Sequence, residues 1–120
     1  MYNYSAFFIA LQKYVNENKI IDLYYEEAKK KAPFPYGVIV DPNITSLRYG
    51  NLVYFDIVIC TSAPTLGLEI EQKIETLVNK LDRRLFSEQR AVVYFESQKN
   101  ESDPEFELIK KKITFSARIF

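Results

Sequence analysis

From Leu108 the chain reads LIKKKITFSARIF, and after Lys111 its residues alternate between two characters. Ile113, Phe115, Ala117 and Ile119 form one series; Lys110, Lys112, Thr114, Ser116 and Arg118 form the other. A period of two is the signature of a strand with one face on a core and one face in water. This constrains the fold strongly, because such a strand needs partners on its edges and an apolar layer on one side only. The preceding polar run SQKNESDP, from Ser97, reads as a turn too long for a tight hairpin.

Three other segments carry the same signal. YGVIVDP from Tyr36 reads as a short strand ended by Pro42, with Asp41-Pro42-Asn43 as a turn. In the long run to Thr61, Val53, Phe55, Ile57 and Ile59 share one face, and Tyr54, Asp56 and Val58 the other. Asp56, opposite the densest apolar row, is expected at solvent or at a subunit contact. Gly50-Asn51 fits either a bulge or a small hairpin. AVVYFES from Ala91 gives the fourth strand.

Two segments repeat with helical spacing. Phe7, Phe8, Leu11, Tyr14 and Val15 predict an amphipathic helix over 4–17 with Ser5 as its cap. Ile70, Ile74, Leu77, Leu81 and Leu85 advance by four, three, four and four residues within 65–86. Ser62 or Thr65 is the expected cap, Pro64 suits the first turn, and Arg83 and Arg84 fall near the negative end. Between the first helix and Tyr36, Pro33 and Pro35 break regular structure, and residues 20–34 are expected to be mobile in an isolated subunit. The order is α-β-β-α-β-β. It predicts an α+β fold over 1–120 as one domain, with an antiparallel or mixed four-stranded sheet and two helices packed on one face.

The inventory of reactive groups is narrow. There is no His, one Cys and three Gly among 120 residues. That removes the imidazole base, the common His-based metal sites and a glycine-rich phosphate loop. No two carboxylates have the spacing of an acid pair in an apolar pocket. Cys60, inside LVYFDIVIC, reads as a satisfied strand residue in a protein of a reducing compartment. No catalytic residue, cofactor or metal is expected. No apolar run approaches the length of a membrane span, and the start lacks a signal-peptide pattern.

Formal charge is zero, with sixteen cations and sixteen anions, balanced six to six in residues 1–60 and ten to ten in 61–120. A broad nucleic-acid footprint needs excess positive charge. Neutrality also removes the repulsion that keeps small proteins apart from their copies. The eighteen Phe and Tyr residues suit strands and interfaces.

The succession of segments resembles the tail-completion or tail-terminator proteins of long-tailed bacteriophages, the neck proteins that join tail tube to head. The matching features are the opening helix, the PFPYGVIV strand, the strand through VYFDIVIC and the helix LGLEIEQKIETLVNKL. A YFES strand and a Pro-marked turn before ITFSARIF complete the pattern. The resemblance implies a subunit that assembles with itself into a ring, usually hexameric, in the virion neck after assembly in the bacterial cytoplasm. Its partners would be the tail-tube protein and the head-side connector or head-closure protein. Phage DNA would pass through the channel without sequence-specific binding, and no membrane is involved. A head-closure or minor tail component, or a small nucleic-acid-binding or regulatory domain, are the alternatives. The candidate assembly contacts are Phe34, Pro35 and Tyr36 in the proline segment, Arg48 and Tyr49 before the long strand, and Lys99, Asn100, Glu101, Ser102 and Asp103 in the polar turn.

Overall fold

The alternating strand occupies the middle of the sheet. A computed structural model describes residues 4–62, 67–101 and 108–120. The described elements are α1 (Tyr4–Glu17), β1 (Asp22–Tyr25), β2 (Tyr36–Leu47), β3 (Gly50–Ser62), α2 (Gly67–Leu81), β4 (Leu85–Phe86), β5 (Ala91–Asn100) and β6 (Leu108–Ile119). They build one mixed sheet in the order β1-β2-β3-β6-β5-β4. β6 pairs antiparallel with β3 from Asn51↔Ile119 to Ser62↔Leu108, and with β5 from Ala91↔Ile119 to Asn100↔Lys111. The Phe120 amide adds a bond to the Arg90 carbonyl at 2.9 Å. Ile113, Phe115, Ala117 and Ile119 are buried, as the alternation requires.

The sheet has six strands, which corrects the four-stranded expectation. Both added strands are too short to carry a period. β1 has four residues and pairs parallel with β2 from Asp22↔Tyr36 to Tyr25↔Ile39. Its outward edge is occupied by α1: Gln12 and Asn16 donate to the Leu23 carbonyl at 3.0 and 3.1 Å, and the Leu23 amide donates to Asn16 Oδ1 at 2.8 Å. Ile20, Ile21 and Leu23 are buried, so residues 20–25 are tied into the fold, contrary to the expectation of mobility there. β4 is a two-residue pairing with β5, fixed where Arg83 donates to the Val93 carbonyl at 2.7 Å and Val93 returns a bond to the Arg84 carbonyl.

Three other boundaries differ for local reasons. β2 runs through Pro42 because a bulge between Val40 and Asn43 absorbs the residues that cannot join the ladder. α2 stops at Leu81; Arg83 is left-handed with φ 63°, and Leu85, the last member of the apolar stripe, is exposed. Thr65 and Pro64 lie outside the described residues, and Ser62 belongs to β3. Ser5 sits inside α1 rather than capping it, since the helix already includes Tyr4. β5 continues through the polar residues to Asn100 because β6 supplies a partner for each of them.

Both helices lie over the same apolar surface. Phe7, Phe8, Leu11 and Val15 of α1 and Ile70, Ile74, Leu77 and Leu81 of α2 join Val53, Phe55, Ile57, Ile59, Ile113 and Phe115 in one buried cluster. Phe7 and Phe8 meet Phe55 edge-on, with centroids 5.8 and 5.3 Å apart, and Phe55 stacks on Phe115 at 5.8 Å. Burial of each such ring is worth roughly 2–3 kcal/mol.

The β2–β3 hairpin turns through Arg48 and Tyr49, with Leu47 opposite Gly50. This resolves Gly50-Asn51 as the start of β3. Gly50 has φ +154°, and a Cβ added there would overlap the Ile119 carbonyl oxygen. The obstacle is backbone of the central strand, so it cannot rotate away. Gly50→Ala is expected to destabilise the fold by about 2 kcal/mol or more, read from a chemical-denaturation midpoint. An unchanged midpoint would contradict this packing of β3 against β6.

Candidate functional site

Register decides which of the sequence-predicted contacts meet. Tyr36 pairs with Cys60, Cys60 with Lys110, and the Glu101 amide bonds to the Lys110 carbonyl at 2.8 Å. One row across four strands therefore joins the segment Phe34, Pro35 and Tyr36 to the segment Lys99, Asn100 and Glu101. At strand spacing the two lie about 14 Å apart at the same end of the sheet. Arg48 and Tyr49 are at the opposite end, on the hairpin tip. Ser102 and Asp103 lie outside the described residues.

The β2 side of this end is aromatic. Phe34 is half exposed and stacks on Tyr36 at 5.6 Å, and Tyr24 meets Tyr36 edge-on at 6.2 Å. Tyr36 and Cys60 are direct cross-strand partners, which sets the tyrosine hydroxyl and the thiol to act on each other. Burial pushes the Tyr36 hydroxyl above its usual range, with Cys60 adding to the rise. Burial also pushes up the Cys60 thiol, and outweighs the opposing pull of Lys110 and Tyr36. A raised thiol is poorly ionised at neutral pH and a poor nucleophile.

The β5–β6 side is ionic. Lys112 stands between Asp56 and Glu101, each at 3.6 Å, and Asp56 also accepts a bond from the Thr114 hydroxyl at 2.6 Å. Asp56, first, and Glu101 hold the Lys112 ammonium above the usual lysine range. Asp56 thus serves a cross-strand network on the solvent-facing side of the sheet. Further along that side, Ser116 donates to Glu96 at 2.6 Å on the floor of a groove walled by Tyr54 and Tyr94. On the helix side, Lys111 pairs with Glu71 of α2 at 3.5 Å.

Sequence reasoning missed Tyr24, Lys112 and the pairing of Tyr36 with Cys60. Only the alternation of β6 hinted at them, by setting Lys110 and Lys112 on the face shared with Cys60 and Asp56. The arrangement offers stacking surfaces, fixed charges and backbone edges. Among the described residues, no group of three or more His, Cys, Asp or Glu could hold a metal ion, and no helix is long and apolar enough to cross a membrane.

No family model matches the chain. Over 81 residues it is 31% identical to Protein LS215_2186 of Saccharolobus islandicus strain L.S.2.15 / Lassen #1, and equally to Protein YG5714_2147 of strain Y.G.57.14 / Yellowstone #1. That stretch is 68% of this chain and spans 30% of the length of those relatives, whose names describe no activity. Among solved structures, it is similar to a chain from the virion of a native gene transfer agent particle. The TM-score is 0.59 at 16% identity, covering 81% of this chain and 77% of the other. The protein therefore shares its fold with a component of a virion particle.

The raised thiol gives a direct check on the Tyr36–Cys60 contact. At pH 8, Cys60 is expected to react with a disulfide reagent at least about tenfold more slowly in the native protein than in denaturant. Tyr36→Ala should accelerate the native reaction by opening the cover. Equal rates in native and denatured protein would show that the row is not closed.

Proposed function

We propose that this chain is a structural subunit of a phage-like virion, a non-enzymatic tail terminator that closes into a ring on the tail tube. The observation that carries the reading is the fold shared with a chain of the gene transfer agent virion. The balance of charge, which leaves little long-range repulsion between copies, supports it. In this reading a hexameric ring stops addition of further tube subunits and offers its other face to the head-side connector, while DNA passes through the centre. The aromatic and ionic end of the sheet, with Phe34, Tyr36, Lys99 and Glu101, is the proposed contact with a neighbouring component. Pro35 shapes that segment, and Asn100 with Ser102 and Asp103 continues it.

A head-closure or minor tail role uses the same fold and the same surface, and differs in the component it meets. A nucleic-acid-binding role is less well supported. On the exposed sheet face Lys112 stands between Asp56 and Glu101, and that pairing lowers the phosphate attraction such a role requires.

Electron microscopy of the purified protein mixed with tail tubes tests the reading. Closed rings at one tube end are the expected result, and Phe34→Ala with Tyr36→Ala should reduce end binding. A protein that stays monomeric with tubes present and binds neither end would overturn it.

A further inference from the structure

Among the described residues β2 leaves a stretch of sheet edge open, and that stretch is complementary to itself. β1 covers β2 only from Tyr36 to Ile39, so the distal part of β2, Asn43–Leu47, has β3 on one side and no strand on the other. Leu47 and Gly50 close the two-residue loop, and alternation then turns Thr45 toward β3 and turns the amides and carbonyls of Ile44 and Ser46 outward. The Ile39 carbonyl, which accepts from Glu26 on the outer side at 2.8 Å, leads to the same assignment across the two-residue bulge. Other edge positions are satisfied, while β5 from Ser97 to Asn100 likewise has a strand, β6, on one side only. Gln12 and Asn16 satisfy Leu23 of β1; Arg83 and Arg84 satisfy Val93 of β5; Asp82 accepts from the Phe95 amide at 2.8 Å.

The open segment also lacks the usual protection. Its sequence is NITSL, with no charge and no proline, and Ile and Thr favour strands. Charges occur only at its two ends, where Asp41 and Arg48 are both exposed.

We propose that two copies of this chain pair through this edge, β2 against β2, antiparallel about a two-fold axis centred on Thr45. Ile44 then faces Ser46 of the second copy, and Ser46 faces Ile44, so each pair exchanges both backbone hydrogen bonds. Thr45 faces Thr45 on the exposed side of the sheet. The same register sets Arg48 opposite Pro42 of the second copy, with Asp41 beside it, so unlike charges meet at both ends. A parallel arrangement brings Asp41 to Asp41 and Arg48 to Arg48. The charges therefore select the two-fold antiparallel pairing over the parallel one. This contact goes beyond the proposed ring: a ring closes through a heterologous interface, whereas this one joins copies in pairs.

Sedimentation velocity over a concentration series up to about 1 mM, where interfaces this small are populated, tests it. Native protein is expected to approach a dimer. Thr45→Lys, which sets two lysines face to face in the pair and is compatible with an edge strand in the monomer, should weaken dimerisation by about tenfold or more. Arg48→Glu and Asp41→Lys should each weaken it alone, and an equimolar mixture of the two should recover it, because unlike charges again meet at both ends. Circular dichroism confirms that each variant is folded. Amide exchange gives a second readout: protection of Ile44 and Ser46 rises with concentration, and that of Thr45 does not. A native protein monomeric throughout, association indifferent to Thr45→Lys, or a mixture that fails to recover would each overturn the proposal. Failure of ring formation on tubes leaves these outcomes unaffected.

Discussion

The insertion of β6 between β3 and β5 is the constraint on which the rest depends. β2 and β3 form one hairpin; β4 and β5 form a second, smaller unit after α2. Neither unit alone has enough buried area to be stable. β6 joins them by hydrogen bonding along both edges, and in doing so fixes the register between residues far apart in sequence. Its alternation then assigns the faces. Ile113, Phe115 and Ala117 extend the apolar floor under α1 and α2, and Lys112, Thr114 and Ser116 carry the polar network on the other side.

This construction explains why the fold has a distinct surface at each end. Near Tyr36, Cys60 and Lys110, the strands end in a row where aromatic stacking gives way to an ion network. Near Arg48, the β2–β3 hairpin extends beyond the cover of β1 and ends in an exposed turn, where the Arg48 guanidinium lies 5.4 Å from the centre of the Tyr49 ring. The molecule is correspondingly elongated, 46 Å by 26 Å by 26 Å. The two ends thus present different chemistry, stacked rings and fixed charges at one and an exposed cation beside a ring at the other.

Much of the framework was legible because it rests on local periodicity. The bounds of α1, the stripe Ile70, Ile74, Leu77 and Leu81, and the faces of β3 and β6 follow from spacing alone. What was hidden depends on distant partners. DLYY becomes β1 because Gln12 and Asn16 hold Leu23 from one side and β2 holds it from the other. Leu85 and Phe86 become β4 only because β5 lies beside them, and Tyr14 receives both the Phe86 ring and the Arg84 guanidinium. The proline at 42 resembled a strand end, yet the bulge lets the strand continue. Of the candidate site, the segments around Phe34 and Lys99 could be singled out but not their shared row, since register across four strands leaves no local trace.

Hydrogen exchange resolved to single amides across β6 tests the central role of this strand most directly. Thr114 and Ser116, turned toward β5, and Phe115, turned toward β3, are expected to exchange only through global unfolding, at rates matching the slowest amides of β3. Exchange of β6 through a lower-energy opening, with β3 and α1 still protected, would contradict the account.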